Sequence, residues 1–359
     1  MRDIVQDVEK WLTQNETVGV ATVVKTWGSA PRGIGAKMAF TSNGQISGSV
    51  SGGCVEGAVV EAGFEVLESA QPQLLEFGVA DDLAWDVGLA CGGSIEVFVE
   101  RIKPAEQLLI HNLSRSNQPF AVATVISGTS PWLGNKIIVE EHGEAAGDTN
   151  SVLAGPIIST AQSVLSGGKS QRQRLAVPDE AEESIELFVE VINPAPTLVM
   201  IGGVHIAIVL AAIAKELGYL TIVIDPRKAF ASQERFANVD TLIQAWPDEA
   251  FEEVKLTSFT AVAILTHDPK IDDPALLQCL SSPVFYIGAL GSRSTHDARS
   301  KRLVDRGVSD RQLARIHAPI GLDIGASSPE EIAISIMAEI VAARHIPLLK
   351  MLSATFELN

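Results

Sequence analysis

The stretch Thr197–Arg227, TLVMIGGVHIAIVLAAIAKELGYLTIVIDPR, decides the fold of the second half of the chain. Thr197 to Ile201 reads as a buried strand. Gly202-Gly203-Val204-His205-Ile206-Ala207 then opens a helix running to about Leu217, and Gly218 stops it. Leu220 to Ile224 is a second buried strand ending in Asp225-Pro226-Arg227. This is a βαβ unit at nearly the spacing of a dinucleotide-binding fold, where G-x-G-x-x-G/A is followed by an acid about twenty residues later. Gly202, Ala207 and Asp225 fit that pattern. The middle glycine position is Val204, whose Cβ stands where a bare backbone would approach a pyrophosphate. The prediction is a Rossmann-like, doubly wound parallel sheet over residues 197–359, in which NAD binding of the usual kind is weakened and Arg227 is available to a phosphate.

Working outward, further strands are predicted at Thr241 to Gln244, Ala261 to Thr266 and Val284 to Ile287. A helix begins at Pro329-Glu330-Glu331, where proline and acids suit the first turn. Ligands of an open parallel sheet lie outside the carboxyl ends of its strands. The fold therefore brings together Gly202, Gly203 and His205; Asp225 and Arg227; His267 and Asp268; and Gly291, Ser292 and Arg293. Arg293 follows a glycine turn into a helix, an arrangement suited to anions. His205, Asp225, His267 and Asp268 are residue types that bind metals, but histidines in turns are commonly hydrogen-bonded structural residues, and no metal is assigned.

The first half is α+β and repeats itself. An amphipathic helix with Ile4, Val8, Trp11 and Leu12 on one face precedes a strand from Val18 to Lys25. Ala36 to Thr41 and Gln45 to Val50 flank Asn43-Gly44, a strong hairpin signal. A helix is predicted from about Cys54 to Ser69, burying Val55, Val59, Ala62 and Val66. Val20-Ala21-Thr22-Val23 recurs as Val122-Ala123-Thr124-Val125, and Ser94-Ile95-Glu96-x-Phe98-Val99-Glu100 as Ser184-Ile185-Glu186-x-Phe188-Val189-Glu190. The reading is one domain, residues 1–193, built from repeats of about 2–101 and 104–193. Arg32, the Gly52-Gly53-Cys54 turn and the Cys91-Gly92-Gly93 turn occur only in the first repeat. Groups that the second repeat does without are candidates for function. Cys54 is expected in the first turn of a helix, where the dipole favours a thiolate. Cys91, flanked by glycine, is expected to be accessible. Cys279 reads as ordinary helix packing.

A net charge of −17 argues against non-specific nucleic-acid binding and against docking on anionic membranes. Three cysteines are too few for a disulfide framework, and no spacing suggests structural zinc. The charged N-terminus is no signal peptide, and apolar runs fall short of a membrane span, so a cytoplasmic protein is expected. No P-loop, Gly-x-Ser-x-Gly or HExxH motif supports an NTPase or hydrolase.

Several long blocks resemble the xanthine dehydrogenase accessory protein family (XdhC/CoxI). They are Gly28-Ser29-Ala30-Pro31-Arg32-Gly33-x-Gly35, then Gly48-Ser49-Val50-Ser51-Gly52-Gly53-Cys54-Val55-Glu56. In the second half they are Thr266-His267-Asp268, Tyr286 to Arg293, His317 to Gly325, and Pro329 to Ala333 with Ala338-Glu339-Ile340. Val204 departs from the glycine common before the histidine. The resemblance implies a chaperone that binds molybdenum cofactor (molybdopterin or its dinucleotide form), assists its sulfuration with a cysteine desulfurase, and inserts it into an apo xanthine-dehydrogenase-like enzyme, acting as a homodimer. On that reading the glycine turns (Gly33, Gly35, Gly52, Gly53), Arg32 and Arg293 cradle the cofactor, and Cys54 or Cys91 touches molybdenum or relays sulfur. One alternative is an NAD(P)-dependent oxidoreductase working from the second half, which Asp225 would anchor, and another is a pure scaffold that binds client or desulfurase but no small molecule.

Overall fold

The computed structural model describes residues 2–78, 93–115, 118–128, 131–141, 143–178 and 180–356. The chain forms two compact units, Met1–Pro194 and Ala195–Asn359.

The first unit begins with α1 (Arg2–Thr13), β1 (Val18–Trp27), β2 (Lys37–Thr41), β3 (Ile46–Gly48), α2 (Glu56–Ser69), β4 (Gln73–Phe77) and β5 (Ser94–Arg101). It continues with α3 (Pro104–Arg115), β6 (Phe120–Ser127), β7 (Lys136–Glu140), β8 (Ala145–Gly147), α4 (Ala154–Ser166), β9 (Gln171–Val177) and β10 (Glu180–Ile192). The strands make two sheets of the same order, β3-β2-β1-β5-β4 and β8-β7-β6-β10-β9. Every pairing in them is antiparallel.

Alternation along β1 separates two faces. Ala21 and Val23 join Phe40, Val97, Val99 and the α2 residues Val59 and Val66 in one core. On the other face Val24 and Phe98 meet Ile126 and Phe188 of the second sheet. Beside that apolar seam lies a reciprocal polar layer. Lys37 Nζ donates to Thr22 Oγ1 at 2.9 Å and pairs with Glu190 at 2.9 Å, while Lys136 pairs with Glu100. The layer borders a cavity of about 60 Å³.

Two departures from the sequence reading concern α2. It starts at Glu56 rather than Cys54, because the Glu56 side chain captures the preceding amides and holds them in a loop. Its buried stripe is Val59, Gly63, Val66 and Leu67, with Ala62 only half-buried. The stripe turns toward Gly63 because the Phe40 ring fills the space there: a Cβ on either Gly19 or Gly63 would lie closer than 3.0 Å to that ring.

The second unit runs β11 (Thr197–Ile201), α5 (His205–Glu216), β12 (Leu220–Ile224), β13 (Thr241–Ile243), α6 (Pro247–Glu253), β14 (Thr260–Ile264), α7 (Pro269–Leu280), β15 (Tyr286–Ala289), α8 (Arg293–Val304), α9 (Asp310–Leu313), β16 (Ile316–His317) and α10 (Pro329–Phe356). Its sheet has the order β13-β12-β11-β14-β15-β16, with every pair parallel. Buried on both sides, the strands read as apolar runs. Leu198 and Met200 pack with α5 and α10 on one face; Val199 and Ile201 pack with α6, α7 and α8 on the other. The chain leaves β11 toward β12 and returns to β14 on the opposite side. That reversal is the switch point at which such sheets open a crevice, and the predicted Rossmann-like architecture is what the chain adopts.

Candidate functional site

In the first unit the glycine-rich loops converge. A Cβ placed on Gly52 would contact the Pro31 ring at 3.8 Å, and Gly93 lies against the carbonyls of Trp27 and Ser29 so closely that only glycine fits. Glu56, in the first turn of α2, fixes the second loop. Its Oε1 accepts the backbone N–H of Val50 (3.1 Å), Ser51 (2.8 Å) and Gly52 (3.1 Å) and the Ser49 hydroxyl (2.6 Å). Its Oε2 accepts the Gly53 N–H (2.9 Å) and the Ser51 hydroxyl (2.5 Å). Gly52 and Gly53 reach the required turn with φ of 80° and 117°, which side chains other than glycine rarely adopt.

Burial works against the Glu56 charge, but the hydrogen bonds from Ser49 and Ser51 outweigh it and hold the carboxyl down at about 2. The loop is an anion nest closed by the chain's own carboxylate. The amides of Gly52 and Gly53 are committed inward, and the loop's outward group is the exposed Cys54 thiol. Cys54 precedes the N-cap residue Val55, so it lies outside the helix. Arg32 is half-buried on the neighbouring loop. Nothing stands within 4 Å of a Cβ built on Gly33, Gly35 or Gly53, so space is open over both loops. Cys91 lies outside the described residues.

In the second unit the predicted residues line the carboxyl edge of the sheet, on the loops after β12, β11, β14 and β15, with Asp225 at the β12 end of that row. Asp225 is fully buried. Its Oδ2 accepts the Gly203 N–H (2.8 Å) and Arg227 Nη2 (2.7 Å); its Oδ1 accepts the Arg227 N–H and Nε, both at 2.9 Å. Burial again opposes the charge, and the bonds from Arg227 and Gly203 hold the carboxyl below its ordinary range. Gly202 packs on Thr266 and Gly203 on the Phe230 carbonyl, both too closely for a Cβ. Val204 is the N-cap of α5, and its side chain packs with the core on the α5 and α10 face. His205 reaches Glu330 at 3.6 Å. His267, exposed, holds a left-handed φ of 91°, and its N–H donates to Asp272 at 3.2 Å. Asp268 caps α7 by accepting the Lys270 N–H. Ser292 caps α8 after Gly291, and Arg293 is exposed in the first turn.

Two further clusters form in this unit, and several of their members, Thr266, Tyr286, His317, Gly321 and Glu339, are named in the sequence motifs without being joined there. Asp272 on α7 binds Thr266 and the buried Arg299 of α8, and burial pushes its carboxyl up. Glu339 on α10 accepts the Tyr286 hydroxyl (2.6 Å), the Gly321 N–H (2.8 Å) and His317 Nδ1 (3.0 Å). Their contacts span 6 to 53 positions, and apart from Thr266 with Asp272 the partners stand too far apart for a local pattern to link them. Glu56 did have a signal: an acid directly behind a glycine-rich turn at a helix start.

Residues 11–78 match the XdhC and CoxI family, and residues 198–340 match the XdhC Rossmann domain. Over 338 residues the chain is 30% identical to a Bacillus subtilis protein named as a probable subunit of xanthine dehydrogenase, covering 93% of this chain and 95% of that one. The chain belongs to the XdhC and CoxI family. Another relative, the molybdenum cofactor insertion chaperone PaoD of Escherichia coli, is 25% identical over 345 residues, 96% of this chain and 88% of PaoD. A crystal structure of a Bacillus halodurans protein described as a xanthine dehydrogenase has a TM-score of 0.74 at 23% identity, covering 94% of this chain and 95% of that one, a likeness of fold. The XdhC and CoxI match contains both glycine-rich loops, and the Rossmann match contains every residue of the sheet edge described above. Among the described residues no helix is long and apolar enough to cross a membrane.

Proposed function

We propose that this protein is a molybdenum cofactor insertion chaperone. One observation carries the reading on the structural side: an exposed thiol on a loop locked by Glu56, next to the Arg32 loop, with open space above both. The relatedness to PaoD along nearly the whole chain supports the same reading. The residues suit the cargo chemically. A guanidinium matches a phosphate, a thiol is a soft donor for a metal bound by sulfur, and bare glycines leave room for a flat ring system. Arg32, Gly33, Gly35 and Cys54 would hold the cargo, while Glu56 keeps Cys54 facing outward.

The client is a molybdenum hydroxylase of the xanthine dehydrogenase type; sulfuration takes place on this protein with a cysteine desulfurase; the working form is a homodimer; the compartment is the cytoplasm. The test is anaerobic gel filtration of the purified protein with molybdenum cofactor, followed by transfer to an apo-hydroxylase. The wild type and Cys279→Ala retain and deliver the cargo, and Cys54→Ala does not. A wild type that retains no cofactor, or equal loss in the two cysteine variants, overturns the proposal.

A further inference from the structure

At the end of the second strand of a dinucleotide-binding sheet, an acid ordinarily accepts hydrogen bonds from the ribose hydroxyls. Asp225 stands in that place and cannot do so. A carboxylate offers about four lone-pair sites, and Gly203 and Arg227 fill four from within the chain. A ribose diol would have to displace a bidentate arginine from a fully buried carboxylate. The acid has become the anchor of a cation.

The groups around that anchor have the opposite character. Arg227 keeps Nη1 outside its bidentate pair, and its side chain is 36% exposed. The guanidinium lies 4.0 Å over the ring of Phe230, itself exposed. Arg235 lies 5.7 Å from the same ring and donates from Nη1 to the Phe230 carbonyl at 3.0 Å. Lys228 is exposed between them in sequence. Three cations thus fall within nine residues of a chain of net charge −17, two of them against aromatic rings, Arg227 over Phe230 and Arg235 beside Phe230 and Phe236. The acids nearby are Glu234, which is solvent-exposed, and Asp268 and Asp272, whose field reaches Arg227. Asp268 caps its own helix, and Asp272 is bound to Thr266 and Arg299.

We propose that the edge of this sheet at the end of β12 binds a phosphomonoester, a nucleotide phosphorylated on its ribose in place of one with a free 2′,3′-diol. Arg227, Lys228 and Arg235 receive the phosphate, and the Arg227–Phe230 stack fixes the orientation of the guanidinium plane. Asp225 is a positioning residue: it sets the side-chain direction of Arg227 and excludes the diol. This site is independent of the cargo reading, since cofactor retention at the Cys54 loop and nucleotide binding here are separate measurements.

The test is calorimetric titration of the full chain with adenosine 2′,5′-bisphosphate and with adenosine 5′-monophosphate. The bisphosphate is expected to bind at least ~10-fold more tightly, as an added charge-assisted contact implies, with the margin shrinking as salt rises. Lys228→Gln with Arg235→Gln should bring the two affinities together. Both residues lie outside the core, and unchanged circular dichroism and melting temperature would verify the fold of the variant. Equal affinities in the wild type, no binding of either nucleotide, or a margin that survives in the double variant would overturn the proposal.

Discussion

Replacing Glu56 with glutamine should loosen the Cys54 loop without unfolding the unit that carries it. The carboxylate holds four backbone amides and two hydroxyls at 2.5 to 3.1 Å. Lowering its carboxyl from 4.5 to about 2 corresponds to ~3 kcal/mol of preferential binding of the charged form. The loop faces water, and screening reduces the usable part to ~1–2 kcal/mol. Because the folded carboxyl is depressed, the stabilisation is complete above pH 4.5 and disappears as pH falls toward 2. At pH 7, hydrogen–deuterium exchange of the peptide covering Ser49 to Val55 should be ~5–30-fold faster in Glu56→Gln, while the β1 and β5 amides keep their protection. Denaturant titrations should show the wild type more stable at pH 7, with about half that margin or less at pH 3. Unchanged exchange in the variant, or a margin as large at pH 3 as at pH 7, would refute the argument that this carboxylate organises the loop.

Two further outcomes follow from packing. Gly63→Ala, in the interior of α2, should destabilise the protein by ~1–3 kcal/mol through collision with Phe40. An ordinary helix-interior Gly→Ala gains ~0.5–1 kcal/mol instead, so the sign of the shift in denaturation midpoint decides between the two. Native alkylation should label Cys54, which is exposed, and leave Cys279 untouched until denaturant is added. Burial pushes the Cys279 thiol up to about 12, and mass spectrometry of peptides from the alkylated protein reads the difference.

What was legible in the sequence was the information carried by period and punctuation. The apolar runs at 197–201 and 220–224, separated by a helix with a glycine at each end, are β11, α5 and β12 residue for residue or nearly so. Asn43-Gly44 turns β2 into β3, and Gly44 adopts the φ of 83° that such a turn requires. Side-chain capture was illegible. Asp225 reads as a ribose acceptor until Arg227, two residues on, is seen to fold back onto it. Cys54 reads as the start of a helix until Glu56 is seen to hold the four preceding amides. In both cases the backbone pattern is indifferent to which way one side chain turns, and the chemistry depends on it. The Tyr286–Glu339–His317 cluster was out of reach for another reason: its members come together only once the sheet order is known.

The polar layer between the two antiparallel sheets has a consequence of its own. Lys37 of the first half pairs with Glu190 of the second, and Lys136 of the second pairs with Glu100 of the first. Each half thus supplies the cation of one pair and the anion of the other, at matching places in its strand order. A surface of that kind is complementary to itself. Two copies of a single half, related by a two-fold axis, would make the same pair of contacts that one chain now makes internally. The seam has the geometry of an interface between protomers, and the linker between β5 and α3 is what turns a dimer's symmetry into the private arrangement of one polypeptide. Within this self-complementary frame only the first half carries the thiol loop.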